Sequence, residues 1–115
     1  MARGEKGRET MLTPALPSPD ERGQRWLQAK VEQILTDNAV TLATPRSENE
    51  PSCYWGPGLE TGTTLYVRLA GDPEPKLLTF HRTMIAKCGA GLYLAQHNAI
   101  ALIRRMLKNM GIVIT

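Results

Sequence analysis

The chain has 115 residues, a formal net charge of +3 and an ordinary balance of 42% hydrophobic and 22% charged residues. That length and composition suit one globular domain and exclude a wholly disordered chain. Two cysteines, Cys53 and Cys88, are too few for a disulfide framework.

The charge is unevenly placed. Residues 1–60 carry seven Lys/Arg and nine Asp/Glu, a net −2; residues 61–115 carry seven Lys/Arg with only Asp72 and Glu74, a net +5. Such asymmetry points to an anionic partner. No uncharged run reaches the length of a bilayer span, and the N-terminal charges have no apolar stretch behind them. A reduced, cytoplasmic protein without a membrane segment is therefore expected.

Residues 1–17 read as a disordered or extended Pro-rich tail, and residues 18–115 as a single α+β domain. In the "TPALPSP" segment, prolines 14, 17 and 19 favour extended backbone. The first helix starts at "SPDE": Ser18 as N-cap, Pro19 at the first helical position and Glu21 completing a capping box. Leu27, Val31, Ile34 and Leu35 form its apolar stripe. It is expected to end near Asn38 in a left-handed conformation. Trp26 lies about 140° from Val31 on the helical wheel. It suits either packing under the tail or a neighbouring loop, or an exposed anchor for a partner.

Strand patterns follow. "AVTLAT" (39–44), "SCYW" (52–55), "TTLYVRLAG" (63–71) and "KLLTFHRTMIA" (76–86) alternate or are rich in strand-forming residues. Between the second and third, "CYWGPGLETG" forms a glycine-rich connection. It lacks the lysine and spacing of a phosphate-binding loop. Because Cys53, Tyr54 and Trp55 are consecutive, an aromatic must leave the core face. Trp55 is expected inside and Tyr54 half-exposed, with either able to serve as an aromatic contact.

"GLYLA" (91–95) fits a last strand or the first turns of a final helix. "AIALIRRMLKNM" (99–110) is helical, and Gly111 stops it. On that helix Leu92, Ala95, Ala99, Leu102, Ile103, Met106 and Met110 make the expected buried stripe. His97, Arg104 and Lys108 share the opposite face, with Arg105 near them and Arg82 and Lys87 extending the basic patch. "IVIT" (112–115) reads as a terminal strand whose apolar edge pairs within its own sheet or with a second copy, making a homodimer. The fold expected is thus an N-terminal helix, a three- to five-stranded mainly antiparallel sheet, and a C-terminal helix packed on the sheet with a short strand after it.

Catalytic and metal motifs are thin. Cys53, His81, Cys88 and His97 are the soft metal ligands, but their spacing is wrong for zinc. No metal or cofactor is expected. The reading is a small non-enzymatic binding protein of the regulatory or inhibitory kind. It would engage an anionic or protein partner through the basic helix face and exposed aromatics. Two alternatives stand beside it: direct nucleic-acid binding, and a small RNA-acting enzyme using His81, Arg68 and Tyr66.

Overall fold

The computed structural model describes residues 18–56 and 63–115. The proposed tail at 1–17 and most of the glycine-rich loop, residues 57–62, lie outside them. The order is α1 (Pro19–Asp37), β1 (Cys53–Trp55), β2 (Thr64–Val67), β3 (Lys76–Thr79), α2 (Arg82–Gly89) and α3 (Tyr93–Asn109). This is the expected α+β domain.

Helix α1 begins as its sequence dictates. Ser18 Oγ accepts from Glu21 N–H at 3.2 Å, and Glu21 Oε1 accepts from Ser18 N–H at 3.0 Å. Leu27, Val31, Ile34 and Leu35 are buried. The left-handed residue at its end is Ala39, at φ 61°, rather than Asn38. Val40 N–H reaches back to Leu35 O at 2.8 Å and Ala39 N–H to Thr36 O at 3.0 Å, the paired bonds of a Schellman turn. Asn38 works through its side chain instead, donating from Nδ2 to Ile34 O at 2.7 Å.

The three strands form one antiparallel sheet in the order β1-β2-β3, with Tyr54 opposite Tyr66 and Leu65 opposite Leu78. Cys53, Leu65, Val67 and Leu78 face the core, joined by Phe80 just past β3. Tyr54, Tyr66 and Leu77 point to the other side. The expected strand at 39–44 shrinks to one bridge, Leu42 to Leu69.

The alternating run at 76–86 does not stay extended. It stops at Thr79, and His81 becomes the N-cap of α2, its Nδ1 accepting from Thr83 N–H at 3.4 Å. The period changes there from two to helical, with Ile85 and Cys88 buried against α1. The ambiguous "GLYLA" belongs to the turn before α3 and to its start. Ala99, Ile103 and Leu107 of α3 enter the same core as the sheet and α1. The polar faces of the helices and the outer face of the sheet remain outside.

Residues 112–115 form no strand. Gly111, at φ 88°, turns the chain back, and Ile114 sinks into the core at 7% exposure. Asn38 Oδ1 then accepts from Thr115 N–H at 2.9 Å and from its Oγ1 at 3.0 Å. The apolar tail that was expected to pair as a strand is held instead as a clasp against α1 and α3. Burial of Ile114 and the Asn38 amide hold this end without a β-ladder, while Val113 stays exposed at 82%.

Candidate functional site

The junction of α2 and α3 is built by a short turn. Gly91, at φ 81°, lets Gly91 N–H reach Cys88 O and Leu92 N–H reach Lys87 O, each at 3.1 Å. Leu92 then caps α3 with backbone alone, since its side chain has no acceptor for the helix's first N–H groups. The consequence is exposure of three successive apolar residues: Leu92 at 50%, Tyr93 at 74% and Leu94 at 71%. They open on a groove of about 650 Å³, with His81, Met84 and Lys87 on the α2 side and Leu92, Leu94 and Asn98 on the α3 side.

The cations of α3 run on from this groove. Tyr93 stacks on His97 with 6.1 Å between ring centroids. His97, Arg104, Arg105 and Lys108 are all exposed on the outward side of the helix, and Lys87 sits on the groove rim. Arg104 is partly engaged, because its Nη1 donates to the carbonyl oxygen of Thr115. Arg82 reaches Asp20 on α1 at 3.6 Å, so its charge is shared across the α1–α2 interface. The sequence holds no Asp or Glu after Glu74.

The aromatics separate into two kinds. Trp26 is half-buried against the core, with Lys30 Nζ 5.5 Å from its ring centroid. Trp55 is also half-buried and packs on Phe80 at 5.9 Å between centroids. Tyr54 is exposed and stacks on Tyr66. Strand alternation alone sorts Cys53 and Trp55 inward and Tyr54 outward.

The side chains named for an RNA-cutting site are not gathered in one place. His81 caps α2 and lines the α2–α3 groove, whereas Tyr66 and Arg68 line a different groove on the outer face of the sheet. Cys53 is no activated nucleophile. Burial, followed by the neighbouring Glu32 charge and its hydrogen bond, pushes the thiol up to about 12, and the thiolate is the reactive form. Burial also raises the Cys88 thiol. Among the described residues, no three His, Cys, Asp or Glu side chains come together as metal ligands, and no helix is long and apolar enough to cross a membrane.

Leu92, expected in the buried stripe, is half-exposed, and Tyr93 and Leu94 beside it are exposed site residues that the stripe does not include. The signal was present: three consecutive large apolar residues span about 200° of a helix, so they cannot all face one core. No family model, no curated protein and no solved structure matches this chain.

Proposed function

We propose that this chain is a small non-enzymatic binding protein of the regulatory or inhibitory kind. Its α2–α3 groove takes an acidic amphipathic segment of a protein partner. The observation that carries this reading is the exposure of Leu92, Tyr93 and Leu94 in succession at the mouth of a groove. Contiguous exposed apolar surface marks interaction sites, and aromatic residues are enriched in interface cores.

Charge narrows the partner. Lys87 lines the groove, and His97, Arg104, Arg105 and Lys108 are exposed along α3, the helix that forms its other side. Complementary charge steers association and sets orientation more than it adds affinity. An amphipathic segment fits both features, with apolar side chains in the groove and carboxylates along the ridge.

Direct nucleic-acid binding is the second reading, favoured by the turn-spaced cations of the ridge. Phosphate contacts would use the cations and leave Leu94 idle. Capture from native lysate distinguishes the two, using wild type, Leu94→Asp and the double variant Arg105→Glu/Lys108→Glu, each with and without nuclease. The protein-partner reading expects one partner that survives nuclease and is lost with Leu94→Asp. Recovery of nucleic acid alone, insensitive to Leu94→Asp, overturns it in favour of the second reading.

A further inference from the structure

The outer face of the sheet carries a second groove, independent of the first. Tyr54 and Tyr66 make its floor. They are direct cross-strand partners, and their rings lie parallel, 5.1 Å apart between centroids with 3° between planes. Gly56 permits this arrangement. A Cβ at Gly56 would collide with the Tyr66 ring, so the ring lies on bare backbone with Tyr54 stacked beside it.

The walls are the loop that contains Arg46, Glu50 and Pro51 and the turn that contains Pro73, Glu74 and Pro75. Arg46 Nη2 donates to Pro73 O at 3.2 Å and ties one wall to the other. The space between them is about 470 Å³, within the range of pockets that enclose small ligands.

Two features define the occupant. The first is charge: Arg46 and Arg68 are matched by Glu50 and Glu74, two cations against two acids. A polyanion gains no net attraction from such a balanced lining, and the carboxylates repel its phosphates. The second is hydrogen bonding. Arg46 gives one N–H to Pro73 O and Arg68 Nη2 gives one to Thr44 O at 2.9 Å; the remaining guanidinium N–H groups, the two tyrosine hydroxyls and the Asn49 amide leave several donors in the lining. The complement is an extended chain that offers carbonyl acceptors and few N–H groups of its own.

A polyproline II segment has those properties. Its carbonyls have no internal partners, its prolines lack N–H, and its backbone is already stiff before binding. Its apolar rings pack on aromatic faces, and aromatic-lined grooves are the recurrent receptor for such segments. We infer that the Tyr54–Tyr66 groove docks a proline-rich segment of a protein partner in the polyproline II conformation. The site lies on the opposite face of the sheet from the core and shares no lining residue with the α2–α3 groove.

The test is an amide-resolved NMR titration of the full chain with a decaproline peptide. A Gly/Ser peptide of equal length and a single-stranded thymidine decamer serve as controls. Saturable shifts at Tyr54, Tyr66, Arg68 and Glu74 with decaproline, absent with both controls and absent around Leu94, are expected. Tyr54→Ala should weaken binding about tenfold, the size of a moderate interface anchor. Tyr54→Phe, which keeps the ring and removes one donor, should retain the fold and weaken binding less. The inference is overturned if decaproline gives no saturable shift at these residues. It is equally overturned if the thymidine decamer moves them as strongly, or if both Tyr54 variants bind like wild type. Failure at this groove leaves the Leu94 result untouched, so the two sites are read separately.

Discussion

Gly23 of α1 and Gly89 at the end of α2 meet backbone to backbone. A Cβ on Gly89 would come within 2.6 Å of the Gly23 nitrogen, and one on Gly23 would strike the Ile85 carbonyl. Arg22 Nε, next to Gly23, donates to Gly89 O at 3.0 Å and fixes the approach. Two helices therefore touch where neither carries a side chain, which buries Ile85 and Cys88 against α1.

The first prediction follows from that contact. In an open helix, Gly→Ala gains about 1 kcal/mol from propensity. At Gly23 the obstacle is backbone, which cannot rotate away, and forced overpacking costs about 1 to 3 kcal/mol. Gly23→Ala should thus destabilise the fold despite its better helix propensity, and chemical denaturation measures the sign. A gain in stability would mean that α1 and α2 separate freely and that the glycine contact is dispensable.

A second prediction concerns the three helix ends. Each closes with the same pair of reverse bonds, through Gly91 after α2, Gly111 after α3 and Ala39 after α1. Ala39 alone carries a Cβ in the left-handed region, at φ 61°, where an L-residue is strained by about 1 to 2 kcal/mol. Glycine removes that strain but gives up entropy in the unfolded chain. Ala39→Gly should raise stability by about 0.5 to 1 kcal/mol, measured by denaturant midpoint with unchanged slope. A loss of stability would show that the Ala39 side chain has a packing role that outweighs its backbone strain.

The same helix ends show what the sequence makes legible. Ser18, Pro19 and Glu21 are local signals read by local chemistry, and the capping box appears as expected. So do the stripe of α1, the strand within 63–71 and the stop at Gly111. The errors fall where tertiary contacts decide. Leu78 and Phe80 suggest that the strand runs on, but His81 and Arg82 are consecutive polar residues and break the alternation; Gly23 offers a slot that a close-packed helix fills, and the chain turns helical after Phe80. "IVIT" has the composition of a strand, but within one chain Asn38 and the core hold it rather than the edge of its own sheet. The exposure of Leu92, Tyr93 and Leu94 is legible from their succession alone, but the groove they open on depends on the Gly91 turn and on α2 being a helix.

Cys53 gives a pH-dependent prediction. Its thiol rises from an ordinary value of 9.0 to about 12 in the folded chain, chiefly through burial and then through Glu32. The folded state therefore holds this proton more tightly than the unfolded state. The resulting stability is fully present below about pH 9 and is lost as pH rises through the window to about 12. One such group changes stability by about 1.4 kcal/mol per pH unit within that window. Between pH 9 and 10.5 the loss should be about 2 kcal/mol. Lysines and tyrosines titrate there as well, so the comparison is with Cys53→Ala over the same range. If both chains lose stability in parallel, burial of this thiol is not what makes the fold sensitive to base.

The last prediction tests the α3 ridge, and the clasp determines which residues to change. Arg104 donates to Thr115 O, so reversing its charge would disturb the turn that buries Ile114 as well as the ridge. Arg105 and Lys108 are exposed, and Arg105→Glu with Lys108→Glu takes the formal net charge from +3 to −1, since each reversal subtracts two. Exposed substitutions change stability by about 0.5 kcal/mol or less. Lys108, in the last turn of α3, adds a helix-dipole loss of about 0.3 to 1 kcal/mol. The variant should therefore stay folded. Its binding to an acidic amphipathic model peptide, followed by fluorescence anisotropy, should fall about tenfold at about 0.1 M salt, where charges are felt over about 10 Å. The deficit should shrink at about 1 M salt, where that range is about 3 Å. Leu94→Asp should lose binding at both salt concentrations, because its contribution is apolar burial rather than screened charge. Equal affinity of the charge variant and wild type at the lower salt would reduce the ridge to ordinary solvated surface. A deficit of the same size at both salts would assign the loss to altered structure rather than to charge.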